Sequence, residues 1–182
     1  MADIYLIRHG EAAASWEQDP DPGLSERGII QAKTLVNEFR DVPLQNVFSS
    51  PLRRAQETAI PLSQFFSVDI QLCEVMREIP SPANIPVAQR LSWLRSIARQ
   101  PWRNAPPVVL DWRRKILDAL AQLPTGSAVF THFMVMNAVL GQVQSNPDLV
   151  CYEPDYCSVL ALNVGESLAL ASIGRQSETR VL

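Results

Sequence analysis

The sequence has few of the residues on which metal clusters, disulfide frameworks and repeat architectures depend. Only 2 histidines, 3 cysteines and 7 glycines occur among 182 residues. The cysteines form no Cys-x-x-Cys pair and their odd number cannot close into a full set of disulfides, a usage typical of structural thiols in a reducing compartment. The low glycine count argues against a collagen-like chain or a repeat array.

Long apolar runs are also missing. No window approaches the roughly 20 apolar residues of a membrane-spanning helix, and the apolar run at the N-terminus is too short for a signal peptide. Lys and Arg number 16 against 19 for Asp and Glu, so the overall positive charge of a nucleic-acid binder is absent. We therefore expect a soluble, cytoplasmic protein with neither a membrane nor a nucleic acid as partner.

What the chain does contain is an alternation of short apolar runs with amphipathic stretches. The runs that end at Ile7, Phe48 and Phe130 predict buried strands. Helices are predicted over 25–39, 51–65, 87–99, 108–123 and 133–143, and a strand hairpin at the sheet edge over 159–164 and 168–173. Pro61 should end or kink the second helix. This alternation predicts an α/β domain with a mostly parallel sheet.

A proline-rich stretch interrupts this pattern at 79–86 and marks the best candidate for an insertion boundary. We expect a helical cap insertion at about 79–107 within a single domain that spans 1–182. The basic residues that follow the prolines face only Asp111 as an acidic counterpart; they are Arg90, Arg95, Arg99, Arg103, Arg113, Arg114 and Lys115. They favour either a solvated helical face or a basic cap that attracts anionic substrates.

Both histidines of the chain follow predicted strands. His9 comes directly after the first strand, and His132 comes directly after the strand that ends near Phe130. Ligands of parallel sheets bind beyond the carboxyl ends of the strands, so these positions predict one shared site. The second strand ends in a polar block that opens a helix, Ser49-Ser50-Pro51-Leu52-Arg53-Arg54-Ala55.

Three motifs in this order resemble the histidine phosphatase superfamily, whose members are phosphoglycerate mutase-like. They are Arg8-His9-Gly10-Glu11, then Ser49-Ser50-Pro51-Leu52-Arg53-Arg54-Ala55-Gln56-Glu57-Thr58-Ala59, then the strand-terminal His132. The resemblance covers most of 3–140. It implies a three-layer α/β/α sandwich and a metal-independent phosphoryl transfer that needs no cofactor.

Elementary chemistry accounts for the residue types in these motifs. A neutral imidazole is a nucleophile near pH 7, and guanidinium groups bind phosphoryl oxygens through paired hydrogen bonds. The resemblance implies that His9 forms a phosphohistidine, that Arg8 and Arg54 bind the phosphoryl group, and that His132 donates to it. Adjacent helical residues diverge by about 100°, so Arg53 and Arg54 cannot both face one phosphate. The family pattern has the catalytic arginine just before the alanine, which selects Arg54 and leaves Arg53 expected at the surface.

A proton donor for the leaving group is the fifth expected component. In the resembled family this acid follows a strand in a context that Met76-Arg77-Glu78-Ile79 matches. Glu78 is therefore the predicted acid and Glu74 the alternative. The family usually continues with glycine, whereas this chain continues with Pro80. A surface glutamate paired with Arg77 is the other interpretation of Glu78.

Several positions argue against a mutase. Phosphoglycerate mutases of the family usually carry Ser and Asn where this chain has Ala12 and Ser15, and glycine and a basic residue where it has Phe133 and Asn137. We predict a histidine acid phosphatase-type phosphomonoesterase that acts on a small phosphorylated substrate. Alternatives are a phosphohistidine-protein phosphatase, a phosphoglycerate mutase-type phosphotransferase and a phosphate-binding module without activity. Trp16 is a candidate for lining the pocket, and the sequence assigns no oligomeric state.

Overall fold

The structure is a computed structural model, and it describes residues 2–15 and 18–178. Its strands within these residues are β1 Ile4–Arg8, β2 Asn46–Ser49, β3 Ile70–Leu72, β4 Ser127–Thr131, β5 Val159–Val164 and β6 Leu168–Ile173. Its helices are α1 Glu26–Phe39, α2 Arg53–Phe66, α3 Arg90–Ala98, α4 Pro107–Leu120 and α5 Phe133–Val143. Within this part of the chain, no helix is long and apolar enough to cross a membrane.

The strands form one sheet in the order β3-β2-β4-β1-β5-β6. The first four of these strands in the sheet are parallel, whereas β5 runs antiparallel to β1 and to β6. Arg8, the last residue of β1, lies opposite Thr131, the last residue of β4. The residues that follow β1, β2 and β4 therefore meet at one edge of the sheet, as the strand-end motifs predict.

Alternating side chains of β1 divide the core into two layers, because successive residues of a strand face opposite sides. Ile4 and Leu6 pack into a cluster with residues of α3, α4 and α5. Tyr5 and Ile7 pack into a second cluster with residues of α1 and α2. Helices thus cover both faces of a mainly parallel sheet, and the predicted three-layer α/β/α sandwich is confirmed.

Helix α2 differs from its prediction at its start and around its proline. It begins at Arg53 rather than Pro51, with Leu52 at the N-cap, and it continues through Pro61 to Phe66. Proline removes one backbone hydrogen bond, yet Ala59 and Leu62 on either side of it are fully buried against the sheet. This tertiary packing outweighs the local preference of proline to end a helix.

The segment 79–107 contains α3 between two short 3₁₀ turns. Leu94, Ile97 and Trp102 of this segment are buried in the same cluster as α4 and α5. Strand β3 was not predicted, because it has three residues and two of them are exposed. Neither segment 79–107 nor β3 changes the edge of the sheet at which the residues that follow β1, β2 and β4 meet.

Candidate active site

His9 lies directly beyond β1 and is buried. Its Nδ1 is 2.7 Å from the carbonyl oxygen of Gly10. A carbonyl can only accept, so Nδ1 carries the ring proton and Nε2 keeps its lone pair. The Nε–H of Arg54 donates to this Nε2 over 3.2 Å. The ring is therefore fixed at both nitrogens, and the lone pair of Nε2 faces a guanidinium group.

The surroundings of His9 keep it neutral. Burial lowers the pKa of His9 well below its usual value of 6.5, and the positive charges of Arg54 and Arg8 act in the same direction. The bond to the Gly10 carbonyl opposes them with a smaller effect. The imidazole is thus neutral at pH 7, with a single ring proton, and this is the state in which a histidine is a nucleophile.

Arg8 is held rigidly beside His9. Its Nη1 donates to the carbonyl oxygen of Pro154 over 2.7 Å. The guanidinium carbon lies 4.3 Å from the ring centroid of Tyr156 and 5.4 Å from that of Phe133. Stacking on aromatic rings fixes the plane of a guanidinium group and leaves its remaining edge free to bind oxygen atoms.

The two adjacent arginines of α2 point in different directions, as helical geometry requires. The side chain of Arg54 is 2% exposed and contacts His9, whereas that of Arg53 is 59% exposed and pairs with Glu57 over 3.2 Å. Asp21 contacts both arginines: its Oδ1 accepts a hydrogen bond from the backbone N–H of Arg53 and lies 3.9 Å from Nη1 of Arg54.

His132 occupies the N-cap position of α5 and is fully buried. Its ring centroid lies 5.3 Å from that of His9, and its Nε2 is 2.7 Å from Oγ of Ser50. Its Nδ1 has no hydrogen-bond partner among the described residues. Burial, together with the charge of Arg54, lowers the pKa of His132 well below 6.5, so this ring is also neutral.

Glu78 and Glu74 occupy opposite environments. Glu78 is 7% exposed, and its Oε1 accepts from the backbone N–H groups of Ile79 at 3.0 Å and Met134 at 3.2 Å. Glu74 is 73% exposed and forms the ion pair with Arg77, at 2.7 Å. The surface pairing weighed for Glu78 is thus made by Glu74. The structure brings Glu78, not Glu74, to the start of α5 beside His132.

Burial raises the pKa of the Glu78 carboxyl group, and this effect opposes the lowering by the Ile79 N–H group and by the charges of Arg54 and Arg8. A carboxyl group with a raised pKa holds a proton closer to neutral pH than an exposed glutamate does. Glu78 can therefore serve as a proton donor and, once ionised, as a proton acceptor.

A cleft of about 560 Å³ opens on the side of Glu78. Its walls include the apolar surfaces of Trp112 and Val108 and the cationic groups of Arg77, Arg90 and Lys115. Arg77 is paired with Glu74 and Lys115 with Asp111.

Arg90, a member of the predicted basic run, lies within electrostatic reach of the candidate site. Its Nη2 donates to the carbonyl oxygen of Ile79 over 2.7 Å. Burial lowers the pKa of Arg54, and the charge of Arg90 adds to this, so the two guanidinium groups are within electrostatic reach. Other members of the run have structural contacts: Arg113 stacks on Trp102, and Arg114 pairs with Asp111.

Several site residues were not singled out from the sequence. Tyr156, which stacks on Arg8, lies 6.1 Å from His9 between ring centroids. It precedes β5, and only the antiparallel pairing of β5 with β1 brings it to this edge. Thr58 and Ser50 stand inside the quoted motif, where their hydroxyl groups were a usable signal. Trp16 lies outside the described residues.

Two of the four positions that differ from mutases, Phe133 and Asn137, are buried in the structure. Phe133 is buried against Arg8. Asn137 is fully buried, and its Oδ1 accepts hydrogen bonds from the backbone N–H groups of Cys151 and Tyr152.

Across residues 2–15 and 18–178, no group of three or more His, Cys, Asp or Glu side chains is placed to hold a metal ion.

Comparison with known proteins gives relatives of two kinds. Phosphoserine phosphatase 1 of Hydrogenobacter thermophilus is 34% identical over 74 residues, which are 38% of this chain and 35% of that protein. A protein of Erwinia tasmaniensis assigned as phosphoglycerate mutase GpmB is 25% identical over 169 residues, 81% of this chain and 77% of that protein. The match thus spans about a third of the first relative and three quarters of the second.

The fold has close counterparts among solved structures. YhfR of Bacillus stearothermophilus superposes with a TM-score of 0.76 at 23% identity, over 97% of this chain and 98% of that chain. A family model, that of the histidine phosphatase superfamily (branch 1), matches residues 4–169, which include every predicted site residue. The resemblance inferred from the three motifs is confirmed: the chain belongs to the histidine phosphatase superfamily.

Proposed function

We propose that this protein is a metal-independent phosphomonoesterase that hydrolyses a small phosphorylated substrate through a phosphohistidine at His9. The observation that carries this proposal is the buried, neutral imidazole whose Nε2 faces Arg54 while its Nδ1 is fixed by Gly10. Such a ring needs neither a metal ion nor a separate base to attack phosphorus.

In the first step, Nε2 of His9 attacks phosphorus in line with the leaving group. An N–P bond forms as the P–O bond of the ester breaks, and the leaving oxygen takes the proton of the Glu78 carboxyl group. Charge on the phosphoryl oxygens is stabilised by Arg8 and Arg54 and by a hydrogen bond from Nδ1 of His132. On binding, a phosphoryl oxygen replaces His9 as the acceptor for Nε of Arg54.

In the second step, a water molecule attacks the phosphohistidine. The Glu78 carboxylate accepts its proton, a new P–O bond forms, and the N–P bond breaks. Phosphate leaves, and His9 returns to its neutral form. A carboxyl group whose pKa is raised by burial suits both roles, because it gives up and takes up a proton closer to neutral pH than an ordinary glutamate does.

The leaving group extends past Glu78 into the adjoining cleft, since its oxygen must lie beside the acid. Segment 79–107 acts as the cap of this cleft and supplies Arg90 to its wall. Two relatives carry names that refer to phosphoserine and phosphoglycerate, which are small phosphomonoesters with a carboxylate. We propose a substrate of this class, with its carboxylate beside Arg90.

The test is an assay of p-nitrophenyl phosphate, phosphoserine and 3-phosphoglycerate with and without EDTA, combined with rapid labelling that is quenched in alkaline denaturant. We expect release of inorganic phosphate that EDTA does not affect, and acid-labile phosphate located at His9 by mass spectrometry. His9→Ala should lose activity by about 10³-fold or more. Full activity of His9→Ala, or activity abolished by EDTA, would overturn the proposal.

The same assay separates the alternatives. Isomerisation of 3-phosphoglycerate without net release of phosphate would identify a phosphotransferase, which the mutase-named relative favours. Tight binding of phosphate without turnover of any ester would identify a binding module. Turnover restricted to a phosphohistidine-bearing protein would identify a protein phosphatase.

A further inference from the structure

Four hydrogen bonds join His9, Gly10, Thr58 and Arg54 in a closed ring. Arg54 Nε donates to His9 Nε2 at 3.2 Å, and His9 Nδ1 donates to the Gly10 carbonyl at 2.7 Å. The Gly10 N–H group donates to Thr58 Oγ1 at 2.9 Å, and this hydroxyl group donates to the Arg54 carbonyl at 2.6 Å. All four residues are buried, so water does not compete for these bonds.

The Thr58 hydroxyl group is the point at which the nucleophile loop is attached to α2. Thr58 is fully buried and stands one helical turn after Arg54. Its single hydroxyl proton is used by the Arg54 carbonyl, so a lone pair of the same oxygen accepts the Gly10 N–H group. The side chain thus ties Gly10 to the helix that carries the phosphoryl-binding arginine.

We infer that Thr58 is a positioning residue of the reaction, an inference that rests on the proposed function. By fixing Gly10, it places the Gly10 carbonyl against Nδ1 of His9 and so selects the tautomer with a bare Nε2. It also sets the direction of that lone pair relative to Arg54. Thr58 itself touches neither the substrate nor the reacting atoms.

The consequence for rate follows from the geometry of in-line attack. A nucleophile displaced by about 1 Å loses on the order of 10²-fold in rate. Without the Thr58 oxygen, the buried Gly10 N–H group lacks its partner and the loop must shift to satisfy it. The imidazole would then populate the second tautomer, in which Nε2 carries the proton and cannot attack.

The kinetic test compares Thr58→Val, which keeps the side-chain shape, with Thr58→Ser, which keeps the hydroxyl group. Thr34→Val is the matched control, because Thr34 Oγ1 makes the same bond to the carbonyl four residues earlier, at 2.9 Å on the exposed face of α1. With p-nitrophenyl phosphate we expect Thr58→Val to lower kcat by about 10- to 100-fold with KM within about two-fold. Thr58→Ser and Thr34→Val should stay near the parent.

A second readout does not depend on turnover. NMR of the ring nitrogens of His9 should show the Nδ1–H tautomer alone in the parent and in Thr58→Ser, and a mixture of tautomers in Thr58→Val. If His9 proves not to be the nucleophile, this measurement still reports on the ring itself, so the two failures are distinguishable.

The inference is wrong if Thr58→Val keeps the parental kcat and a single tautomer. It is also wrong if Thr58→Ser loses as much rate as Thr58→Val, since the hydroxyl group would then be irrelevant. Should Thr58→Val fail to fold, as judged by its thermal transition, Thr58→Ala provides the same loss of the hydroxyl group in a smaller side chain.

Discussion

Arg54 directs its Nε–H group at Nε2 of His9, 3.2 Å away, so the lone pair of this nitrogen is hydrogen-bonded to a buried cation. The same contact lowers the proton affinity of the ring and orients it. In the proposed reaction, Nε of Arg54 exchanges this imidazole nitrogen for a phosphoryl oxygen as its acceptor, which frees the lone pair of His9 for attack when the substrate binds.

Replacement of Arg54 by lysine should therefore damage turnover more than its conserved charge suggests. Lysine cannot reproduce the planar set of donors that a guanidinium group offers to phosphoryl oxygens. We expect kcat to fall by about 10²- to 10³-fold, as on removal of a transition-state donor. Arg53→Lys, on the adjacent exposed residue, is the control and should stay within about two-fold. Equal effects in steady-state assays would contradict the placement of Arg54.

Glu78→Gln should slow turnover in a way that depends on the leaving group. An alkyl ester needs a proton on its leaving oxygen, so its phosphorylation step should slow by about 10²- to 10⁴-fold. A p-nitrophenolate leaves without a proton, so its burst of release should change little. The measurement is pre-steady-state kinetics on both esters.

The pH profile provides a further check on Glu78. Phosphorylation needs a protonated Glu78 and a neutral His9, so kcat/KM should fall both above the raised pKa of Glu78 and below the lowered pKa of His9. Glu78→Gln should lose the alkaline limb. Glu74→Gln, at the exposed ion pair, should keep both limbs; loss of the alkaline limb in this variant would move the acid to Glu74.

The main features of the fold were predictable from the sequence because they depend on local patterns. The apolar runs of β1 and β4 and the Ser25 cap of α1 correspond to elements of the structure. The continuation of α2 past Pro61 was not predictable, because it depends on burial of neighbouring residues against the sheet. Tertiary packing of this kind leaves no local signal.

The candidate site likewise combines residues that local motifs predict with residues that only tertiary packing brings to it. Each of the five predicted residues belongs to a motif quoted from the sequence, and the structure brings all five to one edge of the sheet. Tyr156 and Arg90 reach that edge through the pairing of β5 with β1 and the packing of segment 79–107. Strand register and long-range packing are set by the whole chain, so the sequence offered Arg90 only as one member of a basic run and did not offer Tyr156.

Arg90 should contribute to binding rather than to chemistry. If its guanidinium group binds a substrate carboxylate, Arg90→Ala should raise KM for phosphoserine by about 10-fold or more and leave kcat within about three-fold. For p-nitrophenyl phosphate, which has no carboxylate, KM should change little. Arg95→Ala, on an exposed position of α3, is the control. An equal rise of KM for both esters would show that Arg90 does not recognise the carboxylate.

Gly28 should resist substitution because its backbone packs directly against the nucleophile loop. An added Cβ would collide with backbone atoms of Glu11, and one at Gly10 would come within 2.8 Å of the Gly28 oxygen. We expect Gly28→Ala to lower the free energy of unfolding by about 1–3 kcal/mol, and to lower kcat as Glu11 shifts. Gly165→Ala, in an open turn whose nearest atom is 3.9 Å away, should be neutral in chemical denaturation. Parental stability of Gly28→Ala would show that the loop yields freely.

The two buried histidines should make the protein less stable in mild acid. Burial lowers the pKa of His9 and of His132 below the value of 6.5 expected in the unfolded chain. Below pH 6.5 the unfolded state binds protons that the folded state refuses, so stability falls with falling pH by about 1.4 kcal/mol per pH unit for each histidine. Above that pH both rings are neutral in both states, and this contribution is constant.

Chemical denaturation between about pH 5 and pH 6.5 tests this, with His132→Gln as the variant that keeps a hydrogen-bonding side chain. Its loss of stability per pH unit should be smaller than the parental loss by the contribution of one histidine. Glu78 acts with the opposite sign, because its raised pKa makes the folded state bind a proton more tightly, so Glu78→Gln should make the acid loss steeper. An unchanged slope in His132→Gln would mean that His132 takes up its proton as readily in the folded state as in the unfolded chain, which contradicts the lowering of its pKa by burial.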